Sequence, residues 1–104
     1  MSTDKRLSLH AELIRILGSN NVYFQPPETL KMKYPCIRYN KVRPLTEHAD
    51  NIKYFNRDHY ELVVIDDDPD TEIPDKLVNA LPYCSIDRPY TSNNLTHCAL
   101  DLYY

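Results

Sequence analysis

Residues 57–70 read Arg-Asp-His-Tyr-Glu-Leu-Val-Val-Ile-Asp-Asp-Asp-Pro-Asp, and this stretch limits the fold more than any other. Leu62 to Ile65 is an unbroken apolar run rich in β-branched residues, joined by Tyr60. A run of that kind reads as a strand covered on both faces. Four aspartates follow within five residues around Pro69. Like charges repel, and proline donates no ladder hydrogen bond, so the sheet cannot continue there. The chain is expected to turn at the surface, with Asp66 to Asp70 in solvent.

The rest of the chain can be placed around that strand. Leu7, Ala11, Ile14 and Leu17, joined by Leu13, recur at the spacing of one helical face over residues 3–17. Ser2, Thr3 or Asp4 is placed to cap the start, and Gly18 sits where a left-handed residue ends a helix. Val22, Tyr23 and Phe24 form a short strand stopped by Pro26 and Pro27. Residues 35–42 alternate, with Cys36, Arg38 and Asn40 on one side and Ile37, Tyr39 and Lys41 on the other, as a half-buried strand does. Residues 44–55 follow neither period, and a connection of that length in a small domain is uncommon without a task. After the aspartates, Pro74 suits a first helical turn and the neighbouring acids suit the positive end of the helix dipole. Ile73, Leu77, Ala80 and Leu81 give the stripe of a helix of about ten residues, which Pro82 breaks. Residues 83–87 read as a short strand, 88–94 as a polar turn, and 95–104 as a final strand with Thr96, Cys98, Leu100 and Leu102 on its apolar face. The order α-β-β-β-α-β-β, with mostly short links between strands, predicts an α+β sandwich. Two helices pack on a largely antiparallel sheet of four to five strands.

Composition narrows the function. A chain of 104 residues with 42% hydrophobic and 26% charged residues is expected to fold as one ordinary globular domain. Its one glycine leaves no glycine-rich loop to cradle a phosphate, which argues against P-loop and Rossmann sites. Cys36, Cys84 and Cys98 are odd in number and lack any Cys-x-x-Cys pair, so buried reduced thiols are expected. No stretch approaches the ~20 apolar residues of a membrane span, and a cytoplasmic chain is expected. The net charge of −3 conceals an imbalance: residues 1–43 carry eight Lys/Arg against three Asp/Glu, and residues 44–104 carry four against twelve. If the halves occupied different faces, copies could dock head to tail through complementary potentials.

Three constellations have chemical potential. The oxygen-rich run from Asp66 to Glu72 has ligands for calcium or magnesium, but it lacks the sixth-position glycine and twelfth-position glutamate of an EF-hand loop. A solvated acidic turn that caps a helix is the simpler reading. His59 with Asp58, or His97 with Asp101, would make an acid–base pair if a cleft joined them, yet both histidines alternate with apolar strand residues and are expected on the solvated face. Lys31, Lys33, Arg38, Lys41 and Arg43, interleaved with Tyr34 and Tyr39, have the makings of a basic aromatic strip for single-stranded nucleic acid. The overall acidity favours a protein partner instead. Nine tyrosines fit that choice, since tyrosine brings apolar area with a polar tip to subunit contacts.

Several motifs occur in order along the chain: Val22-Tyr23-Phe24-Gln25-Pro26-Pro27-Glu28, Lys33-Tyr34-Pro35-Cys36-Ile37-x-Tyr39, Ala49-Asp50-Asn51 and Val64-Ile65-Asp66-x-Asp68-Pro69-Asp70. Leu81-Pro82-Tyr83-Cys84, Asp87-Arg88-x-Tyr90, Asn94-Leu95-x-His97 and Leu102-Tyr103-Tyr104 complete the set. As a set they resemble the tail terminator, or tail completion, proteins of long-tailed bacteriophages. The resemblance implies a sheet flanked by helices and a non-catalytic role without cofactor. Copies form a ring, usually a hexamer, on the last ring of tail-tube protein; the ring ends tube growth and meets the head connector or stopper protein. It implies a place in the virion at the head-to-tail junction after assembly in the host cytoplasm, with DNA free to pass through the ring. Residues 44–55 would be an arm that orders on assembly. As subunit or partner contacts we take Lys31, Lys33, Arg38, Lys41, Arg43, Asp50, Asn51, Asp66, Asp67, Asp68 and Asp70, and charge reversal at Asp66, Asp67 and Asp68 is expected to weaken assembly while leaving the fold intact. A head-closure component and a small single-strand-binding module are the alternatives.

Overall fold

The apolar run that anchors the sequence becomes the central strand of a five-stranded sheet. The computed structural model describes residues 2–42 and 57–104, so the 44–55 connection, Arg43, Asp50 and Asn51 lie outside the described residues. The elements follow the expected order: α1 (Ser2–Leu17), β1 (Val22–Phe24), β2 (Cys36–Val42), β3 (His59–Asp66), α2 (Ile73–Ala80), β4 (Cys84–Ser92) and β5 (Leu95–Tyr103). In space the strands run β1-β2-β3-β5-β4. β3 therefore has a partner on each edge, antiparallel β2 and antiparallel β5, which is why its side chains are apolar in both directions.

One pairing departs from the antiparallel pattern. β1 lies parallel to β2, with Val22 opposite Ile37 and Phe24 opposite Tyr39. Residues 25–35 bring the chain back without a helix: Gln25 takes a positive φ of 45°, Pro26 and Pro27 follow, and the Tyr34–Pro35 bond is cis. β3 and β4 both run antiparallel to β5, so α2 is the crossover of a β-α-β unit into which β5 is inserted.

Alternation sorts the side chains into two clusters. Ile37 and Tyr39, Tyr60, Leu62 and Val64, and Cys98, Leu100 and Leu102 face the helices and pack with Leu9, Leu13, Leu77 and Leu81. Cys36, Val63 and Ile65 point to the opposite face, where Tyr23, Met32 and Leu95 close over them. Both described helices thus share one side of the sheet.

α1 stops as its sequence predicts, with Gly18 at φ 84° and its N–H donating to the Ile14 carbonyl at 2.8 Å. Its inward face is corrected in part: Leu13 is buried and Ile14 and Leu17 pack against the core as expected, but Leu9 takes the place of Leu7 and Ala11. Leu9 and Leu13 are fully buried, whereas Leu7 is 54% exposed and Ala11 lies in solvent. The stripe Leu9, Leu13, Ile16 has the same spacing as Leu7, Ala11, Ile14 but carries three large side chains, so it removes more apolar area from water.

The last hairpin is a second correction. β4 does not end at Asp87; it runs through Ser92, and the turn is the two-residue Asn93-Asn94, both at positive φ. That is the twist-matched turn of a tight hairpin. Pro89 is tolerated because β4 is an edge strand, and a register shift between Ile86 and Arg88 bends it.

Candidate functional site

The acidic turn is built by its own side chains. Asp66 is only 5% exposed. Its Oδ1 accepts the Asp68 N–H at 3.0 Å, Asp68 Oδ1 accepts the Asp70 N–H at 2.9 Å, and the Asp68 carbonyl accepts the Thr71 N–H at 3.3 Å. Two successive aspartate turns carry the chain from β3 towards α2, because a carboxylate two residues back can satisfy an N–H that the sheet no longer uses. Asp66 is therefore a structural residue and not a surface contact, which corrects its assignment. Asp67, Asp68 and Asp70 are exposed. The capping role also needs correction: the cap position of α2 is Glu72, whose side chain makes no cap bond, and the Ile73 N–H reaches Thr71 Oγ1 at 3.4 Å.

The basic segment lies beside this turn. Cys36 pairs with Ile65, so the chain ahead of β2 and the chain after β3 leave the sheet at the same end. Lys31 and Lys33 are exposed there, and the Lys33 N–H donates to Tyr23 Oη at 3.2 Å. The two charged halves of the sequence lie side by side: α1, β1 and β2 on one side of the β2–β3 pairing, and β3, β5, β4 and α2 on the other. Arg38 is exposed on the face away from the helices. Lys41 points to the helix face and its Nζ lies 3.5 Å from Asp58 Oδ2. Tyr39 is fully buried, its hydroxyl 2.7 Å from His10 Nδ1. Among the described residues, Lys31, Lys33, Arg38 and Lys41 do not form a common strip with the two tyrosines, because alternation sends strand neighbours to opposite faces. A base has no access to Tyr39.

The histidine pairs differ from both of those considered. His59 Nε2 lies 2.9 Å from Asp101 Oδ1, and the ring stacks on Tyr103 with centroids 4.5 Å apart. His97 stacks on Tyr90 at 4.8 Å. Both histidines are half-buried on the sheet face away from the helices, as expected. The three cysteines are free and buried. Burial pushes the thiols of Cys36 and Cys84 up to about 11 and raises that of Cys98, so they stay protonated and poorly nucleophilic at neutral pH. Among the described residues, no three His, Cys, Asp or Glu side chains gather as metal ligands, and no helix is long and apolar enough to cross a membrane.

Sequence reading missed a polar cluster beneath α1. Arg6 stands with its guanidinium carbon 4.4 Å from the Phe24 ring centroid, and the Tyr39 hydroxyl lies 2.7 Å from His10 Nδ1. Ser8 Oγ is 2.8 Å from Tyr104 Oη, and the buried Tyr60 hydroxyl has no hydrogen-bond partner among the described residues. The available signal was the i, i+4 pair Arg6 and His10 beside the apolar stripe. No protein-family model matches the chain, and no curated protein or solved structure is significantly similar to it.

Proposed function

We propose that this protein is a ring-forming assembly subunit of the phage tail-terminator kind, which caps a tail tube, ends its polymerisation and joins the tail to the head. The observation that carries the reading is the ordered motif set from Val22 to Tyr104. Among the described residues, several of those motifs fall at junctions: the entry to β2, the aspartate turn, the passage from α2 to β4 and the Asn93-Asn94 hairpin. An α+β domain with both described helices on one side of an open sheet agrees with it.

Surface chemistry adds support. Tyr34, Tyr83, Ile86 and Tyr90 are exposed, and amphipathic aromatic side chains of this kind favour protein contacts. The partners are further copies of the chain, the tail-tube protein and a head-connector component, and the site of action is the virion. The protonated thiols and the absence of a cleft-bound acid–base pair among the described residues favour an assembly role over catalysis. Tyr39, being buried, takes support from the single-strand-binding module.

The deciding measurement is mass in solution, alone and with tail-tube protein, together with tube length by electron microscopy. A ring of copies that halts tube extension is expected. A monomer under both conditions, with tubes unaffected, overturns the reading. In lysates lacking the protein, overlong or headless tails are expected, whereas leaking heads would assign it to head closure.

A further inference from the structure

β1 and β4 are the two margins of the sheet, four strand spacings or roughly 19 Å apart. Among the described residues each pairs on one side only, β1 with β2 and β4 with β5. Large apolar and aromatic side chains left in solvent gather at these margins. Tyr83, Ile86 and Tyr90 lie on or beside β4. Leu30 and Tyr34 lie on the connection from β1 to β2, which the Lys33 N–H ties to Tyr23 Oη of β1. Of the large hydrophobic side chains exposed among the described residues, only Leu7 stands elsewhere, on α1. Single exposed apolar residues are ordinary, whereas two groups at opposite margins of one sheet mark a contact surface.

The margins also differ in charge. Residues 2–42, which hold α1, β1 and β2, carry seven Lys/Arg against three Asp/Glu, and residues 57–104 carry three against ten. Lys31 and Lys33 stand in solvent beside Leu30 and Tyr34, so the β1 margin is basic where its apolar groups lie. On the β4 margin Arg57 and Arg88 lie over the rings of Tyr83 and Tyr90, 4.3 and 5.9 Å from their centroids. Asp87 is exposed between them, with Asp75 and Lys76 exposed on α2. Local charges there nearly cancel, and the negative sign comes from the half as a whole.

We propose that a second copy of this chain docks edge to edge, its β1 margin with Leu30, Lys31 and Lys33 against the β4 margin with Ile86 and Tyr90. The proposal rests on the ring-forming reading above and names its subunit contact. A contact between two different patches leaves each copy one unused margin, so successive copies can close a ring. Two basic margins repel, which disfavours β1 against β1. Side chains and not a continued ladder make the contact, because Pro89 has no N–H to offer and the register shift between Ile86 and Arg88 bends the strand. Apolar area supplies the attraction, and the opposite signs of the halves set the direction.

Sedimentation velocity on the full chain, alone and with tail-tube protein, tests this with one variant per margin. Leu30→Lys and Ile86→Lys both fall at exposed positions, and circular dichroism checks their fold. Each variant alone should assemble about tenfold or more weakly than wild type. Mixed, the two should give a one-to-one dimer and nothing larger, since one intact pair of margins remains. If wild type forms a ring and both variants do so equally well, the edge contact is overturned and the ring reading stands. Loss of assembly in Ile86→Lys alone, with no dimer on mixing, would assign a β4-to-β4 contact and overturn the proposal. A wild type that stays monomeric under both conditions overturns the ring reading itself. Should a variant not fold, zero-length cross-links on wild type decide. Links from Lys31 or Lys33 to Asp87 form only between copies, because the two margins lie at opposite ends of the sheet, and their absence from the assembled protein overturns the contact.

Discussion

Asp66 and Asp67 are chemically identical neighbours with different roles, and strand parity separates them. Asp66 shares the helix-facing parity of Tyr60, Leu62 and Val64, so it is drawn into the protein edge and satisfied by the Asp68 N–H. Asp67 falls to solvent. Tyr60 poses the converse case, a hydroxyl carried inward on an aromatic ring and left unpaired among the described residues at 1% exposure. An unsatisfied buried hydroxyl costs about 1–3 kcal/mol, whereas a phenyl ring of the same shape incurs no such cost. Tyr60→Phe should leave stability unchanged or raise it, by up to about 1–2 kcal/mol, in urea denaturation. A loss beyond about 1 kcal/mol would mean that the hydroxyl is bonded in solution. None of this was legible residue by residue, because sequence gives the parity of a side chain and not the depth at which it ends.

For elements, the sequence marked existence better than orientation. α1 carries two apolar stripes of equal period, and periodicity cannot choose between them. The sheet buried Leu9 together with the expected Leu13, kept Ile14 and Leu17 at the margin of the core, and left Leu7 and Ala11 outside. Leu9→Ala is expected to cost about 2–5 kcal/mol as a buried truncation. Leu7→Ala should stay within about 0.5 kcal/mol by thermal or chemical denaturation, and equal losses would refute the assigned face. β4 continues through Arg88-Pro89 to Ser92, where the polar composition of residues 88–94 predicts a turn. An edge strand tolerates proline where its missing N–H would face solvent, and Asn93-Asn94 was the truer turn signal.

The whole molecule keeps the two charged halves of the chain on opposite sides of the β2–β3 pairing in the sheet. Residues 1–43 and 44–104 differ strongly in sign, yet β2 lies against β3 and Lys31 and Lys33 leave the sheet at the same end as Asp67 and Asp68. An electrostatic contribution to ring contacts can therefore draw on this lateral charge separation as well as on local patches such as the acidic turn. Reversing Asp67 and Asp70 to lysine should keep the monomer folded, since neither side chain accepts a turn hydrogen bond, while weakening self-association at low salt. Sedimentation at low and high ionic strength is the check. An assembly indifferent to both the substitutions and the salt would remove the acidic turn from the contact.

What the sequence determined by itself was local: where β3 must lie, that the aspartates must end it, that Gly18 closes α1, and that two helices and five strands follow in a fixed order. Each of these depends on backbone chemistry within a few residues. Tertiary structure alone decided which stripe of α1 is inside, that β1 runs parallel to β2, that β5 inserts between β3 and β4, and that His59 meets Asp101 and not Asp58. These choices compare burial and hydrogen bonding across residues far apart in the chain. Period and propensity carry no record of such partners until the sheet brings them together.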